Sequence, residues 1–174
     1  MLKTLSESNL ATYTPYEGAR LTSAGNALAL RVLRRHRLIE LLLVKTLHLT
    51  WDEVHDEAEH MEHAVSDWLI DRIDAALGFP PTDPHGDPIP RRDGSIENPE
   101  NRSLADCLPG ERFTLARVMD QSPEFLRYLS SSGLILGTSG EVRSIEHAAG
   151  VLTIRVGTQE TALGREAAQK LQVS

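Results

Sequence analysis

The sequence has a single cysteine, Cys107, in 174 residues. That excludes an internal disulfide framework and fits a reducing compartment. It has no apolar run long enough to span a bilayer. The longest, Leu41-Leu42-Leu43-Val44, is broken by Lys45 and His48. The opening Met1-Leu2-Lys3-Thr4-Leu5-Ser6 lacks the apolar core of a signal peptide, so a cytoplasmic protein is expected. Positive charge is short as well. A net charge of -7 argues against a surface built for phosphate contacts. There is no glycine-rich phosphate loop, and Cys107 has no histidine near it in sequence. These absences put an enzyme below a binding or regulatory protein, and no small organic substrate is expected.

What is present is distributed unevenly. Composition is otherwise that of a globular protein, 40% hydrophobic and 25% charged, long enough for one large domain or two small ones. Arg31, Arg34, Arg35 and Arg37 cluster in one stretch, and acids follow from Asp52 to Glu62. Met1 to Ser8 has helical spacing, and Ala11–Tyr16 and Ala19–Thr22 read as two short strands. Residues 23–48 read as one long helix capped by Thr22 or Ser23. Thr50 to Leu77 reads as one or two helices, with a capping-box pair at Thr50 and Glu53. Its apolar stripe is Val54, Ala58, Met61, Val65, Trp68, Leu69, Ile73 and Leu77. Six prolines and two glycines in residues 79–102 forbid regular structure and mark a linker. Beyond Ser103 the pattern becomes strand-like, around a short helix at Ser122–Ser131 with Pro123 at its first position. The expected architecture is therefore mainly α in the first half, with a small C-terminal β-barrel.

The chemistry gathers in the second and third helices. His55, Glu59, Glu62 and His63 are spaced by +4, +7 and +8, one face of a helix. His36 and Glu40 stand one turn apart on the preceding helix. If the two helices pack as antiparallel neighbours, six donor groups share one space, and their carboxylates repel one another unless a cation is there. Imidazole with carboxylate suits Mn²⁺, Fe²⁺ or Zn²⁺, and no thiol is present to favour a structural Zn²⁺ site. A single His-x-x-x-Glu pair on a helix is ordinarily a surface pair worth tenths of a kcal/mol. Six groups in compatible phase make a stronger pattern. His48 and His60 lie off this face, and His85 and His147 are expected to be structural. A metallohydrolase would need an open coordination position and a separate base. All the acids here occupy ligand positions.

Four segments resemble the diphtheria toxin repressor family of iron- and manganese-dependent transcriptional regulators. They are Leu21-Thr-Ser-Ala-Gly, Arg34-Arg-His-Arg-Leu-Ile-Glu-Leu-Leu-Leu, Val54-His-Asp-Glu-Ala-Glu-His-Met-Glu-His-Ala-Val-Ser-Asp and Pro84-His-Gly-Asp-Pro-Ile-Pro. The resemblance implies a winged-helix remnant at 1–22 and a helical metal-binding and dimerisation domain at 23–78. It further implies a Pro-rich linker at 79–102 and an SH3-like (FeoA-like) domain at 103–174. It implies two metal positions, one of His36, Glu40 and His55, the other of Glu59, Glu62 and His63. Gln121 and Glu124 fall nearest the motif by which the C-terminal domain of the family lends side chains to the first position. Glutamate rather than cysteine at Glu59 is similar to the manganese regulators and shifts preference toward Mn²⁺. Zn²⁺, Co²⁺ or Ni²⁺ are expected substitutes.

The resemblance also implies a homodimer, with Val65, Trp68, Leu69 and Ile73 at its interface, and operator DNA as a partner of an intact protein. Against the family pattern the chain starts inside the recognition helix, without the residues that complete the second metal position. DNA binding is therefore expected to be impaired in the chain as given. The alternative function is a metal-binding dimer without a DNA role.

Overall fold

The computed structural model describes residues 2–14, 16, 18–97 and 99–174. Helix α1 (Leu2–Glu7) leads into an antiparallel hairpin of β1 (Ala11–Thr14) and β2 (Gly18–Leu21). Three helices follow: α2 (Ser23–Leu47), α3 (Val54–Glu62) and α4 (Asp67–Ala76). Thr22 caps α2 by accepting the Gly25 N–H at 3.0 Å. Gly25 is dictated by packing, since a Cβ there would fall 1.9 Å from the Leu10 carbonyl oxygen.

The 25-residue α2 is two different helices in environment. From Arg34 onward it is largely buried, with Leu38, Ile39, Leu41 and Leu43 packed against Val54, Ala58, Ile70 and Ile73. Its first ten residues carry Leu28 in the open. The turn through 48–53 brings α3 back along the buried half. Glu53 accepts the Thr50 N–H at 3.0 Å and its hydroxyl at 2.7 Å, so the expected pair forms. It closes a turn ahead of α3 instead of capping the helix itself. Ser66 begins α4, accepting the Leu69 N–H. Of the apolar stripe, Val54, Ala58 and Ile73 are buried, whereas Trp68 is 71% exposed.

Residues 79–101 contain no helix or strand among those described, in keeping with their prolines. They are not a free tether, however. Asp83 and the run His85–Pro90 are buried, and Ile89 belongs to the helical core. This stretch lies between the helices and the C-terminal unit.

The C-terminal unit is a six-stranded antiparallel sheet in the order β3-β8-β4-β5-β6-β7. Its strands are β3 (Arg102–Ser103), β4 (Arg112–Val118), β5 (Ser139–Glu146), β6 (Val151–Val156), β7 (Gln159–Gly164) and β8 (Leu171–Val173). Helix α5 (Pro123–Ser131) and the short α6 (Arg165–Gln169) complete it. Alternation puts Phe113, Leu115, Leu152, Ile154 and Leu163 in its core with Leu126 and Leu129 of α5. Pairing of β4 with β8 shifts register between Leu115 and Arg117, a bulge that lets Val118 turn inward.

Candidate metal centre

Packing of α3 on the buried half of α2 brings the two predicted ligand faces together. His36 Nε2 lies 3.0 Å from Glu40 Oε1 and 3.2 Å from His55 Nδ1, and His55 Nδ1 is 3.3 Å from Glu40 Oε1. Ligands about 2.1 Å from one ion stand roughly 3–3.4 Å apart. The triangle therefore has the dimensions of an ion's coordination shell. The other ring nitrogen of His36, Nδ1, is 2.9 Å from Glu62 Oε2, and Glu62 Oε1 is 3.4 Å from His63 Nε2. One imidazole thus joins the two predicted groups. Glu40 and Glu62 are buried, His55 is half exposed, and Glu59 and His63 stand in solvent.

Electrostatics follow this geometry. Burial opposes charge on His36. The hydrogen bonds and attraction of Glu40 and Glu62 outweigh it and raise its pKa above 6.5. Burial likewise pushes Glu40 up, but its bond to His36 and the nearby His36, His85 and His55 rings bring it below its ordinary value. The two buried carboxylates thus flank one imidazole, each at a different ring nitrogen.

A second group was not anticipated from sequence. Glu40, Asp83 and His85 also bring three ligand atoms within 4.8 Å of one another, and all three residues are buried. The His85 Nε2–H donates to the Trp51 carbonyl oxygen at 2.7 Å, and the two rings stack 6.2 Å apart. That leaves Nδ1 buried without a hydrogen-bond partner, 3.8 Å from Glu40 Oε2. An orphan imidazole nitrogen beside a carboxylate oxygen is what a cation would satisfy. Asp83 is pushed up to about 7 by burial and by repulsion from Asp87 and Glu40, against the backbone N–H bonds it accepts. His85, expected to be structural, is packed on Trp51 and also stands in this group of candidate donors. Its place in a Pro-His-Gly-Asp turn was the available signal, because such a turn fixes a side chain without helical periodicity.

Gln121 and Glu124 are not brought to the triangle. The Gln121 amide donates to Asp87 Oδ2 at 2.7 Å, and Glu124 is exposed in the first turn of α5. Their expected ligand role is not what this arrangement shows, because docking of the C-terminal unit commits Gln121 to Asp87. The donor set that does converge is imidazole and carboxylate without thiolate. It fits a divalent first-row metal.

Residues 22–91 match the iron dependent repressor metal binding and dimerisation domain, and residues 102–174 match the FeoA domain. A solved manganese-dependent transcriptional repressor in complex with manganese superposes with a TM-score of 0.88 at 44% identity, over 98% of this chain and 80% of that one. The chain belongs to the iron-dependent repressor family. The iron-dependent repressor IdeR of Mycobacterium tuberculosis is 49% identical over 70 residues, 40% of this chain and 30% of that repressor. The diphtheria toxin repressor of Corynebacterium efficiens is 32% identical over 148 residues, 79% of this chain and 64% of that protein. The matched stretch thus spans under a third of the mycobacterial family member and just under two thirds of the corynebacterial one. Among the described residues no helix is long and apolar enough to cross a membrane.

Proposed function

We propose that this chain is a dimeric, metal-dependent transcriptional repressor that responds to Mn²⁺ or Fe²⁺ in the cytoplasm. The observation that carries the proposal is the 3.0–3.3 Å triangle of His36, Glu40 and His55 around a buried carboxylate. A bound divalent cation supplies the positive charge that the clustered carboxylates lack. His36, Glu40 and His55 would hold one ion, with Asp83 and His85 offering a further pair of donors on the other face of Glu40. Glu59, Glu62 and His63 would hold a second.

The chain's own groups do the rest. Glu62 accepts from His36 Nδ1–H, which fixes the tautomer whose Nε2 lone pair faces Glu40 and His55. Loading requires His36 to give up its second proton, so affinity falls as pH drops through its raised pKa. Glu40 belongs to α2 and His55 to α3, so holding one ion between them would couple the two helices. The exposed Trp68 and Leu69 of α4 form the proposed dimer face, which would hold two such units in register. In this reading α1 and the hairpin are the end of a recognition helix and the wing, and the C-terminal sheet is an SH3-like barrel. Metal would then set the spacing of two DNA-reading elements across the dimer.

Melting temperature with and without Mn²⁺ tests the proposal. A rise that grows with Mn²⁺ concentration in the wild type, and is lost in a His36→Ala, His63→Ala double variant, is expected. No rise, or the same rise in both, contradicts it.

A further inference from the structure

The turn carrying Asp83 and His85 has a second face. The Val118 N–H of β4 donates to the His85 carbonyl oxygen at 2.9 Å. Gly86, at φ +86°, lies so close to β4 that a Cβ would fall 2.1 Å from the Ala116 carbonyl oxygen. The buried Asp87 carboxylate is gripped by three side chains. Arg117 of β4 reaches Oδ1, while Gln121 (2.7 Å) and Arg37 of α2 (3.5 Å) reach Oδ2. Asp83 Oδ1 accepts the backbone N–H groups of both His85 and Asp87, at 2.8 and 2.9 Å, which locks the turn. One side of this turn thus presents Asp83 and His85 to Glu40. The other side is clamped to the C-terminal sheet.

We infer that Asp87, held by Arg117 and Gln121, is a positioning residue for the Glu40 metal position, and that the C-terminal unit thereby tunes metal affinity through the 83–88 turn. The inference rests on the metal-binding proposal above. Arg37 of α2 also holds the turn, donating to the Pro88 carbonyl oxygen, but its contacts to the carboxylates of Asp83 and Asp87 are both 3.5 Å. The two groups from the C-terminal unit make the closer contacts to the Asp87 carboxylate itself. Loss of partners outside the ligand shell typically weakens metal binding about 10–100-fold. Linkage is reciprocal, so an ion at Glu40 must in turn tighten the docking of β4.

The experiment is Mn²⁺ titration of the full chain, read by electron paramagnetic resonance of the free ion, in two backgrounds. His63→Ala isolates the Glu40 position, and Glu40→Gln isolates the Glu62 position. Arg117→Met is expected to weaken binding about tenfold in the first background and to leave the second unchanged, with Arg117→Lys recovering most of the loss. Gln121→Met, which removes only a partly exposed amide, should weaken binding in the same background by a smaller factor. It keeps the test decisive if Arg117→Met folds poorly. In parallel, hydrogen exchange at the Val118 amide should slow on adding Mn²⁺ to the wild type and not to Glu40→Gln. Equal affinities for all variants, or equal weakening in both backgrounds, overturns the positioning role. Absence of Mn²⁺ binding by the wild type instead overturns the metal-binding proposal on which it rests.

Discussion

Glu40 and Glu62 are both buried carboxylates touching the same imidazole, yet their surroundings differ sharply. Glu40 is closed in by His36, His55 and His85 and retains 1% side-chain exposure. Glu62 touches His36 on its inner side, but the two groups predicted to join it, Glu59 and His63, stand in solvent. The difference teaches that preorganisation here comes from the number of chain segments converging on a group. Helices α2 and α3 and the 83–88 turn all converge on Glu40, whereas Glu62 is served by α2 and α3 alone. A side chain held from three directions loses little further entropy on coordinating an ion. The Glu40 position should therefore be the tighter of the two.

The strongest way to break that comparison is Glu40→Gln. It should lower Mn²⁺ affinity by more than the 10–100-fold that loss of an outer partner costs, leaving one weak site in a binding isotherm. If His63→Ala costs as much, the two positions are equivalent and the contrast fails. Next in size is the comparison of His36→Ala with His55→Ala. The His55 ring serves only the inner triangle, whereas His36 bridges both carboxylates. Removing His36 should weaken both positions and removing His55 only one, as resolved by stoichiometric titration.

Asp83→Asn gives a smaller effect of opposite sign. The folded-state pKa of Asp83 is raised to about 7, so the stability tied to its protonated form is full below about 3.8 and lost as pH rises through about 7. In metal-free protein at pH 8, the variant should melt higher than wild type, because repulsion from Asp87 and Glu40 is relieved. The asparagine oxygen can still accept the His85 and Asp87 N–H groups. With Mn²⁺ present the variant should gain less than wild type does. A lower melting point in both conditions would show that the Arg37 contact matters more than the repulsion.

The smallest expected change is at Asp120, whose pKa is brought down to about 2 by its hydrogen bond with Lys170 and the Ser122 N–H. Its contribution is present above about 3.8 and lost as pH falls through about 2. Asp120→Asn should cost under about 1 kcal/mol at neutral pH, by denaturant melts, because the pair is on the surface. It should leave Mn²⁺ binding untouched, which sharpens the contrast with Gln121 beside it.

The helical part of the site was legible because helices carry periodicity into sequence. His36 with Glu40, and His55 with Glu62, announce a common face by spacing alone. His85 and Asp83 carry no such signal. They stand in an aperiodic turn whose proline and glycine exclude regular structure without saying where a side chain points. The contact of Gln121 with Asp87 was not legible for a related reason. Its neighbours are set by how β4 docks on the 83–88 turn, and no local pattern encodes that docking. In the fold, the long strands showed through alternation at Phe113, Leu115, Leu152 and Ile154. Strand β8 did not, because three residues cannot establish a period, and its place between β3 and β4 is a long-range pairing. Whether Thr50 to Leu77 held one helix or two stayed open because the apolar stripe continues across the break before α4.

Electron spin echo modulation of the Mn²⁺-loaded chain, with histidine labelled by ¹⁵N, tests the shared ion most directly. Imidazole nitrogen coupling to Mn²⁺ is expected in the wild type, diminished in both His36→Ala and His55→Ala. A spectrum showing only water and carboxylate around the ion, identical in all three proteins, would contradict a metal held between the two helices.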